Sequence, residues 1–278
     1  MNKKLLLILL LPLLWTCKKK NDHVDPNIVY IPDANFKAVL IQDNYINTNG
    51  DNEIQISEAQ AATDLYIPYC DITDLTGIEK FTALKKIDCH GNLLSVCNLR
   101  YNTLLETLDC DDCYMNAIDI SFNKSLKVLS CSSNNFNTLN LKSNALLNYL
   151  DCYYNNITIL DLKYNTSLKQ VDCSSCHLTS LILNDTALSY LSCQINNLTS
   201  LNINSNTKLE RLLCASNQFT ALDVRPDSVL AYLECDGNPN LPFVCITNAQ
   251  KQIIDNNIIT WIDHWMKDDA CLWKVDCL

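Results

Sequence analysis

Leu147-Asn148-Tyr149-Leu150-Asp151-Cys152-Tyr153-Tyr154-Asn155-Asn156-Ile157-Thr158-Ile159-Leu160-Asp161-Leu162-Lys163-Tyr164-Asn165 is one copy of a sentence that this chain repeats. As a pattern it reads L-x-x-L-x-C-x-x-N-x-L-x-x-L-x-L-x-x-N. Cysteine recurs at Cys89, Cys110, Cys131, Cys152, Cys173, Cys193, Cys214 and Cys235, at gaps of 21, 21, 21, 21, 20, 21 and 21 residues. Two apolar columns keep step with it, one from Leu84 to Leu230 and one from Ile87 to Leu233. A fixed period of this length means stacked coils, because one coil cannot bury its apolar face alone and a stack can.

Within a coil Leu150 and Cys152 alternate with polar residues, the period of a strand with one buried face. Leu160-Asp161-Leu162 and Ile118-Asp119-Ile120 alternate in the same way. Each coil is therefore expected to have two strand-like sides, with neighbouring coils about 4.8 Å apart. One asparagine column holds Asn92, Asn134, Asn155, Asn196, Asn217 and Asn238. Its amides are expected to bond backbone groups where the coil turns inward. A second column, Asn102, Asn123, Asn144, Asn165 and Asn206, falls at the opposite turn.

This pattern resembles the 21-residue bacterial leucine-rich repeats with a nested period of 10 and 11, found in surface and secreted proteins of Bacteroidetes-type bacteria. The resemblance covers about residues 64 to 242. It implies a repeat solenoid, mostly parallel β, with a short helical cap at one end and a C-terminal cap at the other. The domain reading is a signal peptide over 1–16 and a lipid-anchored tether over 17–30. A helical N-terminal cap follows over 31–63, the solenoid over 64–242 and the C-terminal cap over 243–278.

The chain has 278 residues and a net charge of −10. That balance argues against nucleic acid, whose phosphates require a basic stripe. Four glycines leave no Gly-rich phosphate loop. Met1-Asn2-Lys3-Lys4 is a positively charged start, and Leu5–Trp15 is an apolar run too short to span a bilayer, as in a signal peptide. Leu14-Trp15-Thr16-Cys17 resembles a bacterial lipobox, which makes Cys17 the lipidated residue. The implied location is the bacterial cell envelope, lipid-anchored at the outer membrane. An ordinary signal peptide is the alternative.

Sixteen cysteines in an exported chain first suggest disulfides. Stacked ladder cysteines instead point in parallel, about 4.8 Å apart, beyond the usual Cβ separation of a disulfide. They read as buried small hydrophobes. Cys97 falls in a leucine column. Cys113 and Cys176 replace asparagine in the turn column, so the two C-x-x-C pairs are neither a zinc site nor a redox pair. Cys70, Cys245, Cys271 and Cys277 fall outside the regular columns. Cys70 is at the far end, so the expected disulfide is Cys245–Cys277, with Cys271 in place of Cys277 as the alternative. The closing segment, with Trp261 and Trp265, reads as cap core.

Ahead of the coils, Ile31–Leu40 reads as a short helix with a proline near its start. Asn47, Asn49, Asp51, the Glu53 carbonyl, Gln55 and Glu58 fit the ligand positions of an EF-hand loop. Asn47 stands where the first aspartate is usual, and Asn52 where the glycine is. The two readings are a weak Ca2+ site and a metal-free turn.

No catalytic constellation is expected. His23, His90, His177 and His264 pair with no nucleophile or metal ligand at short spacing. The outward positions of the first strand offer Asp88, Asp109, Asp151, Asp172 and Glu234 in one column, flanked by Tyr149, Tyr153, Tyr190 and Tyr232. Acids one rung apart oppose folding mildly, and a basic partner relieves them. Tyrosine among acids suits an interface. The expectation is a monomeric, non-enzymatic envelope lipoprotein that binds a protein partner. Its rivals are a structural or calcium-stabilised envelope protein, and a glycan-binding lipoprotein that stacks sugars on Tyr153 and Tyr154.

Overall fold

The computed structural model describes residues 25–184, 188–255, 264–275 and 277. The expected signal peptide, the expected tether from Cys17 up to residue 24, and Trp261 lie outside the described residues, and no described helix is long and apolar enough to cross a membrane. The N-terminal cap holds α1 (Ala34–Gln42) and α2 (Ile56–Ala61). Asp33 starts α1 by accepting from the Asn35 and Phe36 N–H groups, both at 2.9 Å. Its other oxygen accepts from Thr73 and Asp74, which ties the cap to the first coil.

The coils are built on three-residue strands: β1 (Asp64–Tyr66), β2 (Lys86–Asp88), β3 (Thr107–Asp109), β4 (Val128–Ser130) and β5 (Tyr149–Asp151). The chain continues through β6 (Ile159–Asp161), β7 (Gln170–Asp172), β8 (Ser180–Ile182), β9 (Tyr190–Ser192) and β10 (Arg211–Leu213). It ends with β11 (Leu222–Asp223), β12 (Tyr232–Glu234), β13 (Phe243–Cys245), α3 (Asn248–Asp255), β14 (His264–Met266) and β15 (Leu272–Lys274). Ten of these strands form one parallel sheet in the order β1-β2-β3-β4-β5-β7-β9-β10-β12-β14. The register sets each inward apolar residue on the next, as Ile87 on Leu108 and Leu129 on Leu150. The inward column is buried from Leu65 to Leu233 and ends on the partly buried Trp265, and Phe81, Phe136 and Phe219 are fully buried in the same core.

Immediately after the strand, each ladder cysteine is buried and its N–H donates to the next coil, as Cys131 does to Asp151 at 2.9 Å. Two residues further on the backbone turns through the left-handed region: Gly91, Asp112, Ser133, Tyr154, Ser175, Ile195, Ser216 and Gly237 all have positive φ. That conformation costs energy for a side-chain-bearing residue, and the asparagine column beside it offsets the cost. Asn155 donates to the carbonyls of Cys131 and Cys152 and accepts from the Phe136 N–H. Gly91 has a further reason to be glycine, since a Cβ there would lie 2.3 Å from the Tyr69 ring.

The first coil corrects the placing of Cys70 outside the columns. Ile67 occupies the ladder position, with its N–H donating to the next coil at 2.8 Å. Tyr69 takes the left-handed turn, and Cys70 stands in the asparagine column, where its N–H reaches Asn92. Cys113 and Cys176 occupy the same column further along. Their thiols donate to the carbonyls of Cys89 and Cys152, at 3.1 and 3.0 Å. Each of these three cysteines is followed by a second left-handed residue: Asp71, Tyr114 and His177.

The expected second strand per coil forms only in part. β6 pairs with β8, and β11, β13 and β15 form a three-stranded sheet. Ile118–Ile120 is not a strand. Alternation records which side chains turn inward, and Leu139 and Leu141 are buried as it demands. It does not require the inter-coil backbone bonds that define a ladder.

At the C-terminal end Cys245 and Cys277 form the disulfide and Cys271 is a buried free thiol. Trp265 and Trp273 meet edge to face, 5.7 Å between ring centres, and pack on the end of the core.

Candidate functional site

Three outward columns cover the long sheet. The first holds Lys86, Thr107, Val128, Tyr149, Gln170, Tyr190, Arg211 and Tyr232. The next, two residues on, holds Asp88, Asp109, Ser130, Asp151, Asp172, Ser192, Leu213 and Glu234. Past the strand ends a third runs through His90, Asp111, Tyr153 and Asp236. The acids expected in one column therefore separate. Ser130 divides the pair Asp88–Asp109 from the pair Asp151–Asp172, and two coils stand between Asp172 and Glu234.

In the first group His90 Nδ1 lies 2.6 Å from Asp88 Oδ1 and 3.9 Å from Asp109 Oδ2. The Tyr69 ring meets the His90 ring edge to face at 4.7 Å. Burial opposes the imidazolium, but the bond to Asp88 and the charges of Asp109 and Asp111 prevail and raise the His90 pKa. Burial, with the charges of Asp111 and Asp88, pushes Asp109 up. The donor atoms of Asp88, His90 and Asp109 lie within 4.8 Å of one another, and no other group of three such donors converges so closely among the described residues. The sequence reading left His90 without a partner. Its signal was there: Asp88 lies two residues away on the same face, and Asp109 one repeat on. Asp111 reaches across to the next coil, accepting from Ser132 N–H at 2.6 Å and Ser130 Oγ at 2.8 Å.

In the second group Tyr149, Asp151, Gln170, Val171, Asp172 and Tyr190 line a shallow depression of about 240 Å³. Burial, together with the charges of Asp172, Asp111 and Asp109, raises Asp151 to about 6, against the bond it accepts from Tyr153 N–H. Burial and the Asp151 charge raise Tyr149, and burial and Asp172 raise Tyr190. Among the described residues no lysine or arginine forms an ion pair with Asp109, Asp151 or Asp172. Tyr153 projects beside this depression, its ring 5.9 Å from that of Tyr154, and both are exposed.

Glu234 is held differently. It accepts from Gln194 Nε2 at 2.7 Å and from the Tyr232 hydroxyl. The Arg211 guanidinium stacks over the Tyr232 ring at 4.4 Å. Sequence reasoning missed Gln194 and Arg211, whose side chains complete this end of the face.

The EF-hand-like loop closes on itself. Asn47 is buried and donates to the carbonyls of Ile41 and Asp51. Asn49 donates to Asp51 and Gln55, and Gln55 donates to Asp51. Glu58 accepts from the N–H groups of Thr48, Asn49 and Gln55, the last closing a capping box at the start of α2. The Glu53 side chain pairs with Lys37 at 2.6 Å. The left-handed residue is Gly50, φ 71°, and not Asn52. The side chains at the ligand positions do converge, but their oxygens already receive amide hydrogens.

A stack of parallel coils with a buried thiol at the end of eight successive strands of the long sheet has a solved counterpart. The functional domain of InlJ from Listeria monocytogenes, which includes a cysteine ladder, matches with a TM-score of 0.70 at 26% identity. The fold is that of a leucine-rich repeat protein. The match covers 86% of this chain and 60% of the InlJ domain, so the chain spans about three fifths of that domain's length. An internalin, InlF, from Listeria monocytogenes matches at TM-score 0.56 and 17% identity, over 89% of this chain and 78% of that one. The LRIM1/APL1C complex matches at TM-score 0.61 and 17% identity, over 80% of this chain and 46% of that one. At such identity the last two speak for the leucine-rich repeat fold alone. No protein-family model matches the sequence, and no curated protein matches it.

Proposed function

We propose that this chain is a non-enzymatic envelope lipoprotein, anchored through Cys17, whose outward sheet face binds a protein partner rich in basic side chains. The observation that carries the reading is the Asp151–Asp172 pair. Both carboxyls are partly buried, they lie one rung apart, and no cation pairs with them among the described residues. Like charges opposed on a sheet cost folding energy, so a lysine or arginine from a partner would recover what the free chain loses. Tyr149, Tyr190 and Tyr153 supply rigid contact area around the pair.

The test is capture of a partner from envelope or host extracts, followed by binding measurements with the purified pair. Asp151→Lys combined with Asp172→Lys is expected to weaken binding at least tenfold, about 1.4 kcal/mol, with an unchanged circular dichroism spectrum. Raising ionic strength from about 0.1 to 1 M shortens the Debye length from about 10 to 3 Å and is expected to weaken the wild-type complex. Unchanged binding by the double variant would move the site off this face. The exposed Tyr153–Tyr154 pair favours the glycan-binding alternative, and binding to a glycan array that Tyr153→Ala abolishes would establish it.

A further inference from the structure

The second asparagine column ends on an acid. Asn102, Asn123, Asn144, Asn165 and Asn206 are followed, 21 residues after the last, by Asp227. The amides of this column work in one way. Asn123 Nδ2 donates to the carbonyls 24 and 21 residues back, Leu99 and Asn102, and Asn144 and Asn165 do the same. The oxygens of Asn102, Asn123, Asn144 and Asn165 receive no hydrogen bond, so the column lives on its N–H donors. By the same register Asp227 faces the carbonyls of Ile203 and Asn206. A carboxylate has no donor to offer them.

Asp227 is completely buried, and neither of its oxygens has a hydrogen-bond partner among the described residues. A bare charge so placed would face carbonyl oxygens without water, a costly arrangement. Its neighbours do not relieve it. The preceding coil presents neutral Asn206. From the cap side neutral Gln250, on α3, donates to the backbone carbonyls of Val224 and Asp227, both at 3.0 Å. The charge that reaches Asp227 is that of Asp223, a like charge. The nearby cation, Arg225, is committed to Asp223 through two bonds, and its third goes to the Cys277 carbonyl.

We propose that Asp227 is a proton-dependent latch for the C-terminal cap: as the neutral acid it donates into the asparagine ladder and seats α3, and as the carboxylate it unseats it. Gln250 is the mechanical link, because it holds the Asp227 carbonyl from the other side and so occupies the ladder position after it. Burial and the Asp223 charge lift the Asp227 pKa from 3.8 to about 7. A raised carboxyl pKa means that the folded cap holds the proton more tightly than the open one. The stabilisation is complete below the ordinary carboxyl range and is lost as pH rises toward about 7.

The test is amide hydrogen exchange on the full chain, corrected for the intrinsic pH dependence of exchange, followed at α3, β13 and β15. In the wild type the cap-opening equilibrium is expected to rise roughly a hundredfold between about pH 5 and 8. Asp227→Asn restores the column's own residue and is expected to protect the cap equally at both values, with the first coils unchanged. Asp227→Ala controls for packing, and is expected to open the cap at both values without a pH dependence. A wild-type profile that is flat, or that Asp227→Asn leaves in place, would overturn the latch.

Discussion

Cys152 lies at the centre of the ladder, fully buried and in contact with the Cys176 thiol of the next coil. That contact and burial together push its thiol well above the ordinary range. An inert, dry thiol is a small hydrophobe. Cys152→Ser places a hydroxyl among apolar side chains and is expected to cost about 1–3 kcal/mol, whereas Cys152→Ala leaves only a small cavity and costs less. Thermal denaturation of both variants checks this, and better tolerance of serine than alanine would overturn it. At this scale the sequence was a good guide where a column repeated. The Asn92 column was legible because each amide satisfies the same buried backbone groups, and selection of one side chain by one environment leaves a period. Cys70 was not legible, because Ile67 replaces the ladder cysteine and removes the landmark beside it. Asp227 was also missed, since a column read as asparagine hides a residue that differs by one atom type. The His90 trio joins two coils, and its members are neighbours only once the register is known.

The element most open to experiment is the loop between α1 and α2. Glu58 serves as helix cap and loop clasp at once. Burial opposes its charge, yet the bonds from Gln55, Thr48 and Asn49 lower its pKa. Its stabilisation is therefore present above the ordinary glutamate value of 4.5 and lost as pH falls below it. Glu58→Ala removes the capping box and leaves the partly buried N–H groups of Thr48, Asn49 and Gln55 to water, a loss of about 1 kcal/mol. Because Asn49, Asp51 and Gln55 already bond one another, calcium at about 1 mM, the range of weak extracellular sites, is expected to leave the melting temperature of the wild type unchanged. Differential scanning calorimetry with calcium and with chelator decides between the two readings, and a calcium-dependent rise would establish the weak Ca2+ site. The sequence placed the first helix of this cap, from the proline-led run Ile31–Leu40, but not α2, whose Gln55–Glu58 capping box lies inside the stretch read as a cation loop. It overstated the second strand of each coil, since Ile118-Asp119-Ile120 has the alternation of a strand without its backbone pairing.

For the whole molecule, a solenoid is a sum of neighbour contacts, and its ends open first. The Cys245–Cys277 bond encloses 32 residues of sequence separation at such an end. In the chain-entropy model, closing that loop contributes about 3–4 kcal/mol. Cys277→Ala is expected to lower the denaturation midpoint and to expose α3 to protease, with the coils around Cys131 and Cys152 still protected. Uniform loss of protection along the solenoid would show that the stack unfolds as one unit. The architecture was legible because eight copies share a period. The chemistry of its face was less so, because Asp88 with Asp109, and Asp151 with Asp172, acquire meaning only from stacking.

The thirteen reduced cysteines of the described chain stand beside a single oxidised pair. Any unfolded copy would expose all of them at once, and the number of wrong cross-links would then far exceed the one right one. Winding the coils sorts the sulfurs before oxidation can. Each completed turn withdraws another ladder thiol from exchange, which leaves Cys245, Cys277 and the half-buried Cys70 as the sulfurs least covered by the stack. The ladder is thus an ordering device in time as well as in space, and its cysteines guide pairing by being hidden.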